Sequence, residues 1–123
     1  MLKIIENLPE NIVGFEAHER ITAEDYETVV FPYIDNLMSW NPDRKFNLIY
    51  HIGWDYEWFD LWAMYDDAKV GFKYMKNLWK MVIITDVNWI KNMASFFANH
   101  FTSVDMKVFP NNDYDKALKY VKQ

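Results

Sequence analysis

Met81, Val82, Ile83 and Ile84 follow one another with no polar residue between them. A strand with one face in water alternates apolar and polar side chains. An unbroken apolar run points instead to a strand covered on both faces, the usual state of a parallel sheet flanked by helices. Parallel neighbours also need crossover connections of a dozen residues or more. The chain must therefore place helices between its strands, and its pattern does so.

Residues 2–6 and 12–18 read as strands. In the second, Val13, Phe15 and Ala17 alternate with Gly14, Glu16 and His18, the period of a half-buried strand. Residues 7–11, with Pro9, make the turn between them. "TAEDYETVVFPYIDNLMSW", residues 22–40, predicts a helix. Thr22 and Asp25 form a capping-box pattern, and Tyr26, Val29, Val30, Tyr33, Leu37 and Met38 recur at helical spacing. Pro32 should kink this helix or end its first segment.

"KFNLIYHIG" is the next strand. Leu61, Met64, Ala68, Phe72 and Met75 mark the apolar face of a second helix, and "WKMVIIT" is the buried strand. Asp86 stands where it can cap a third helix through Ile90, Met93, Ala94 and Phe97. "SVDMKVF" is the last strand. Asn112 is placed to cap a final helix bearing Tyr114, Ala117, Leu118 and Val121. The order is ββαβαβαβα, an α/β fold with a mainly parallel sheet covered by helices. No linker, repeat or shift in composition divides residues 1–123, so one domain is expected.

Composition narrows the function. Net charge is −5, with no basic tail, so no nucleic acid is expected as a partner. The chain has no cysteine, which removes disulfides and thiol chemistry. No apolar run approaches the ~20 residues of a membrane span, and the start is broken by Lys3, Glu6 and Glu10. A cytoplasmic protein is the expectation. With only Gly14, Gly53 and Gly71, no phosphate-cradling loop exists. His18, His51 and His100 lack metal-ligand spacing, and adjacent Asp66 and Asp67 diverge by about 100° on a helix. No metal and no cofactor is expected.

The element order, together with "GFEAH" at 14–18, "TAEDYE" at 22–27, "AMYDDAK" at 63–69 and "TDVNWI" at 85–90, resembles the SpoIIAA-like family. That fold is shared by STAS domains and lipid-carrying CRAL-TRIO domains. The resemblance implies a single SpoIIAA-like domain and brings no settled reaction with it. The best-known fold relatives are anti-sigma-factor antagonists, switched by phosphorylation of a serine at the start of the second helix. Here that location falls within residues 54–61, which hold neither serine nor threonine. The phosphoswitch does not carry over.

The aromatic fraction, 19%, is high, and it concentrates in "HIGWDYEWFDLW", residues 51–62, between a strand and a helix. Ligands of open α/β sheets bind at such junctions. If the helix already runs from Trp58, then Trp58 and Trp62 share a stripe that continues past Asp66 to Lys69, Lys73 and Lys76. Tryptophan and lysine together suit a membrane interface, although Asp55, Glu57 and Asp60 oppose an anionic one.

The expectation is a non-enzymatic module that binds a lipid or other hydrophobic small molecule through Trp54, Tyr56, Trp58, Phe59 and Trp62, assisted by Lys69 and Lys73. It includes transient docking at the inner membrane surface. Two readings compete. The same rings could contact a protein partner or a second copy in a homodimer, or they could pack under a loop while the lysines form a solvated face. Catalysis from His51 with Asp55, Glu57 or Asp60 has a base but no nucleophile in the junction.

Overall fold

The computed structural model describes residues 1–53, 58–59, 76–88, 92 and 104–123. Its strands are β1 (Leu2–Ile4), β2 (Ile12–Ala17), β3 (Arg20–Ile21), β4 (Phe46–Ile52), β5 (Trp58–Phe59), β6 (Leu78–Ile84) and β7 (Asp105–Phe109). Five of them form one sheet in the order β1-β2-β4-β6-β7. β1 is antiparallel to β2, and every later pairing in that sheet is parallel. β3 and β5 pair in parallel as a separate two-stranded ladder, Arg20 with Trp58 and Ile21 with Phe59. These short strands show no alternation to read in sequence.

Helical structure begins with α1 (Ala23–Asp25), continues through a π turn (Tyr26–Val30) into α2 (Phe31–Ser39), and closes the chain with α3 (Tyr114–Lys122). The capping box forms as expected. The Thr22 N–H donates to Asp25 Oδ2 at 2.8 Å, and the Asp25 N–H donates to Thr22 Oγ1 at 3.3 Å. Pro32 lies in the first turn of α2 and has no N–H to give the carbonyl four residues back. The backbone widens just before it, where the Phe31 N–H reaches five residues back to Tyr26 O.

The sheet separates two cores. On one side Val13, Phe15, Ala17 and Tyr50 pack against Tyr26, Val30, Ile34 and Met38 of the first helical stretch. On the other, Ile12, Ile49, Val82 and Ile84 pack against Ala117 and Val121 of α3. Val82 and Ile84 reach 0% exposure, and Ile83 is buried in the opposite core, so the apolar run lies in a strand covered on both faces. Burial of each such side chain stabilises by about 1.5–3 kcal/mol. The Asn47 amide, itself buried, donates to Val121 O at 2.8 Å, satisfying a carbonyl of the last helical turn.

The second predicted helix lies outside the described residues, as does most of the third, where only residues 88 and 92 are described as helical. Asn112 does not cap α3. A 3-10 turn (Asn111–Asp113) precedes it, and Asp113 stands at its N-cap without a side-chain cap bond. No helix of the described residues is long and apolar enough to cross a membrane.

Candidate functional site

The parallel strands share one carboxyl end, and the side chains directed there follow from register. Glu16 of β2 lies opposite His51 of β4, and His51 lies opposite Ile84 of β6, which pairs with Phe109 of β7. Two residues further along each strand, on the same face by the period of two, stand His18, Gly53, Asp86 and Asn111. With Glu16, His51 and Tyr114 from the start of α3, these line a cleft of about 430 Å³.

A polar chain crosses this cleft. Asp86 accepts from the backbone N–H of Asn111 at 3.1 Å and from its Nδ2 at 2.9 Å. A carboxylate only accepts, so the Asn111 amide must turn its NH₂ to Asp86 and its Oδ1 outward. That oxygen stands 3.0 Å from His51 Nε2, so Nε2 carries a proton and donates. In the neutral ring, Nδ1 is then an acceptor. It faces Glu16 Oε1 at 3.7 Å, and the same oxygen lies 3.2 Å from His18 Nε2. One carboxylate oxygen thus sits between two imidazoles.

Tyr114 closes the wall, its ring 5.1 Å from the His51 ring. Burial first, then the negative charges of Glu16 and Asp115, raise its phenol above the ordinary tyrosine range. It therefore keeps its proton and offers a donor to the cleft at neutral pH. The described lining provides donors and acceptors but no serine, threonine, cysteine or lysine. Among the described residues no group of histidines and carboxylates is arranged to hold a metal ion. A larger groove, about 500 Å³, runs between the β1–β2 turn and α2. It sets Ile5, Leu8, Ile12, Tyr33 and Leu37 beside Glu6, Asn7, Glu10 and Arg44.

Of the residues singled out in sequence, His51 is in the cleft, and Trp58 and Phe59 are placed by their backbone. They form strand β5, which corrects the expectation of a helix running from Trp58. An extended backbone repeats every two residues, so the 100° arithmetic joining Trp58 to Trp62 does not hold there. Trp54, Tyr56, Trp62, Lys69 and Lys73 lie outside the described residues, as do Asp55, Glu57 and Asp60. The partners of His51 are Glu16 and Asn111, neither of which sequence reasoning had attached to it. Asp86, expected to cap a helix, spends its carboxylate on Asn111.

The SpoIIAA-like family model matches residues 12–122. Among solved structures the chain is similar to an uncharacterized protein of the DUF3478 family with a SpoIIAA-like fold from Shewanella loihica PV-4. The two share 25% identity and a TM-score of 0.73, over 98% of this chain and 92% of that one. No curated protein matches.

Proposed function

We propose a ligand-binding role for this chain, which belongs to the SpoIIAA-like family: the cleft at the carboxyl end of the sheet receives the polar end of a lipid or other amphiphile, and the aromatic segment beside it covers the apolar part. One observation carries this reading. Gly53 lines the cleft, and the run Trp54, Tyr56, Trp58, Phe59 and Trp62 follows it directly in the chain. β5 returns that run to β3, where Arg20 pairs with Trp58 two residues after cleft-lining His18. Polar groups converge at one point, and the aromatic run follows in sequence the glycine that lines it, a pairing that suits a small-molecule site.

The lining selects among head groups. Glu16 and Asp86 place two carboxylates in its wall. An amine or hydroxyl head finds an acceptor at Glu16 and a donor at Tyr114. A carboxylate or phosphate head meets like charge. Binding, rather than bond chemistry, suits a cleft whose described lining has no serine, threonine, cysteine or lysine.

Calorimetric titration with dodecylamine, dodecanol and dodecanoate, each below its micelle concentration, tests the reading. The amine and alcohol are expected to bind and the carboxylate to bind more weakly, with His51→Ala and Asn111→Ala reducing the affinity of the first two. If none of the three binds and native mass spectrometry finds no co-purifying amphiphile, the lipid reading falls. A protein-interaction module lacking the phosphorylatable serine then takes its place.

A further inference from the structure

The opposite end of the sheet carries its own signal. Trp40, which ends α2, is 86% exposed, and Trp79, at the start of β6, is 59% exposed. Indoles are highly buried on average, and two left bare at one end of a sheet need a reason. Trp79 is turned out by a bulge. Pairing passes from Phe46 with Leu78 to Asn47 with Lys80, leaving Trp79 as the extra residue. Bulges of this kind re-aim a side chain.

The segments that bear the two indoles are tied together. The Asn77 amide donates to the carbonyls of Pro42 and Arg44, both at 2.8 Å, and the Lys45 ammonium donates to the carbonyl of Lys76. α3 also ends there, since Lys80 reaches the carbonyls of Tyr120 and Gln123. This gathers Arg44, Lys45, Lys76, Lys80 and Lys122 at the amino end of the strands, against Glu6, Glu10, Asp43 and Asp105. The chain as a whole carries −5, whereas the five cations named here outnumber the four carboxylates beside them. β4 has seven residues and so separates the two ends by about 23 Å, well beyond the ~8 Å Debye length at physiological salt. The acidic remainder is screened from whatever the basic end touches.

We propose that this end, with Trp40 and Trp79 as anchors and Arg44, Lys45 and Lys76 around them, docks on an anionic lipid bilayer. Indole rings favour the headgroup level, and basic side chains beside them meet the negative leaflet. A second copy of the chain is a poorer occupant. Two indoles bring at most about 500 Å², against about 800 Å² per partner in a standard interface. The membrane contact is thus opposite the ligand cleft, and it stands independently of what that cleft binds.

Vesicle flotation decides it, comparing phosphatidylcholine vesicles with vesicles that also contain phosphatidylglycerol. Wild type, Trp40→Ala/Trp79→Ala and Lys45→Gln/Lys76→Gln are compared, each checked for fold by circular dichroism. Wild type should float with anionic vesicles and release as salt rises. The Trp40/Trp79 variant should lose this. The lysine variant should bind about tenfold or more weakly, from two cations that each gain a several-fold factor at such a surface. No flotation of the wild type, or retention by the Trp40/Trp79 variant, overturns the proposal. So does a Trp40- and Trp79-dependent dimer in light scattering without vesicle binding, which would give this face to a second copy.

Discussion

Asp86 fixes the orientation of Asn111: its two carboxylate oxygens accept the backbone and side-chain N–H groups of that one residue, at 3.1 and 2.9 Å. The consequence reaches His51, because the amide oxygen left over is the one that accepts from Nε2. Asp86→Ala removes the carboxylate and frees the amide to flip. Affinity for dodecylamine is expected to fall about tenfold, the scale of one hydrogen bond to a charged group. The melting temperature should change little, since the pair lies at an exposed rim. Nitrogen chemical shifts of His51 should report the Nε2–H tautomer in wild type and a mixture in the variant. An unchanged tautomer in Asp86→Ala would remove Asp86 from the role of orienting residue.

Gly14 is a packing requirement rather than a flexible joint. A Cβ there would stand 2.6 Å from Leu8 Cδ1, 2.9 Å from Ile49 Cγ2 and 3.1 Å from Ile5 Cβ. The leucine tip can move aside. Ile49 is fully buried, and the stiff branched side chain cannot. Gly14→Ala should therefore destabilise by about 1–3 kcal/mol, read as a lower urea midpoint with an unchanged slope. A neutral result would mean that the β1–β2 turn yields easily.

The sheet was largely legible from sequence because it depends on local patterns: an apolar run, an alternating strand, a capping box. The cleft was not. Glu16 and His51 face each other through register, and Asp86 and Asn111 come from segments after different strands, so no spacing in the chain connects them. Asp86 reads as a cap because it precedes apolar residues at helical spacing. Tyr114 falls in the apolar stripe of the last helix. One signal was available. In a parallel sheet the polar residues that end each strand meet at one edge, and His18, Asp86 and Asn111 occupy such positions. The bulge at Trp79 had no comparable sign, since the residue sits in a run that reads as regular strand.

Glu19 takes a left-handed backbone, φ 55°, in the tight turn between β2 and β3. That conformation costs a residue with a Cβ about 1–2 kcal/mol, part of which glycine recovers after its larger entropy loss on folding. Glu19→Gly should raise stability by up to about 1 kcal/mol. Asn7 has a similar φ, 64°, but asparagine tolerates it, and Asn7→Gly should be close to neutral. Equal shifts for both in urea unfolding would show that backbone strain is not what distinguishes them.

Tyr120 should give the fold a stability that fades at high pH. Its hydroxyl donates to the Asp105 carboxylate, while the ammonium groups of Lys80 and Lys107 each stand 4.7 Å from its ring centre. Burial first, then the hydrogen bond and charge of Asp105, push the phenol up to about 12. In the unfolded chain it titrates near about 10. Between these values the folded state holds a proton that the unfolded state has released. The contribution is therefore complete below about pH 10 and is lost as pH rises toward 12. Tyr120→Phe keeps the ring, and with it both cation–π contacts, but has no phenol to ionise. In urea unfolding across this window the wild type should lose stability more steeply than the variant, and its advantage should vanish at the upper end. Tyrosinate absorbance should show one late-ionising group present in the wild type and missing from the variant. Parallel pH profiles for the two proteins would remove the Tyr120–Asp105 bond from the forces holding α3 to the sheet.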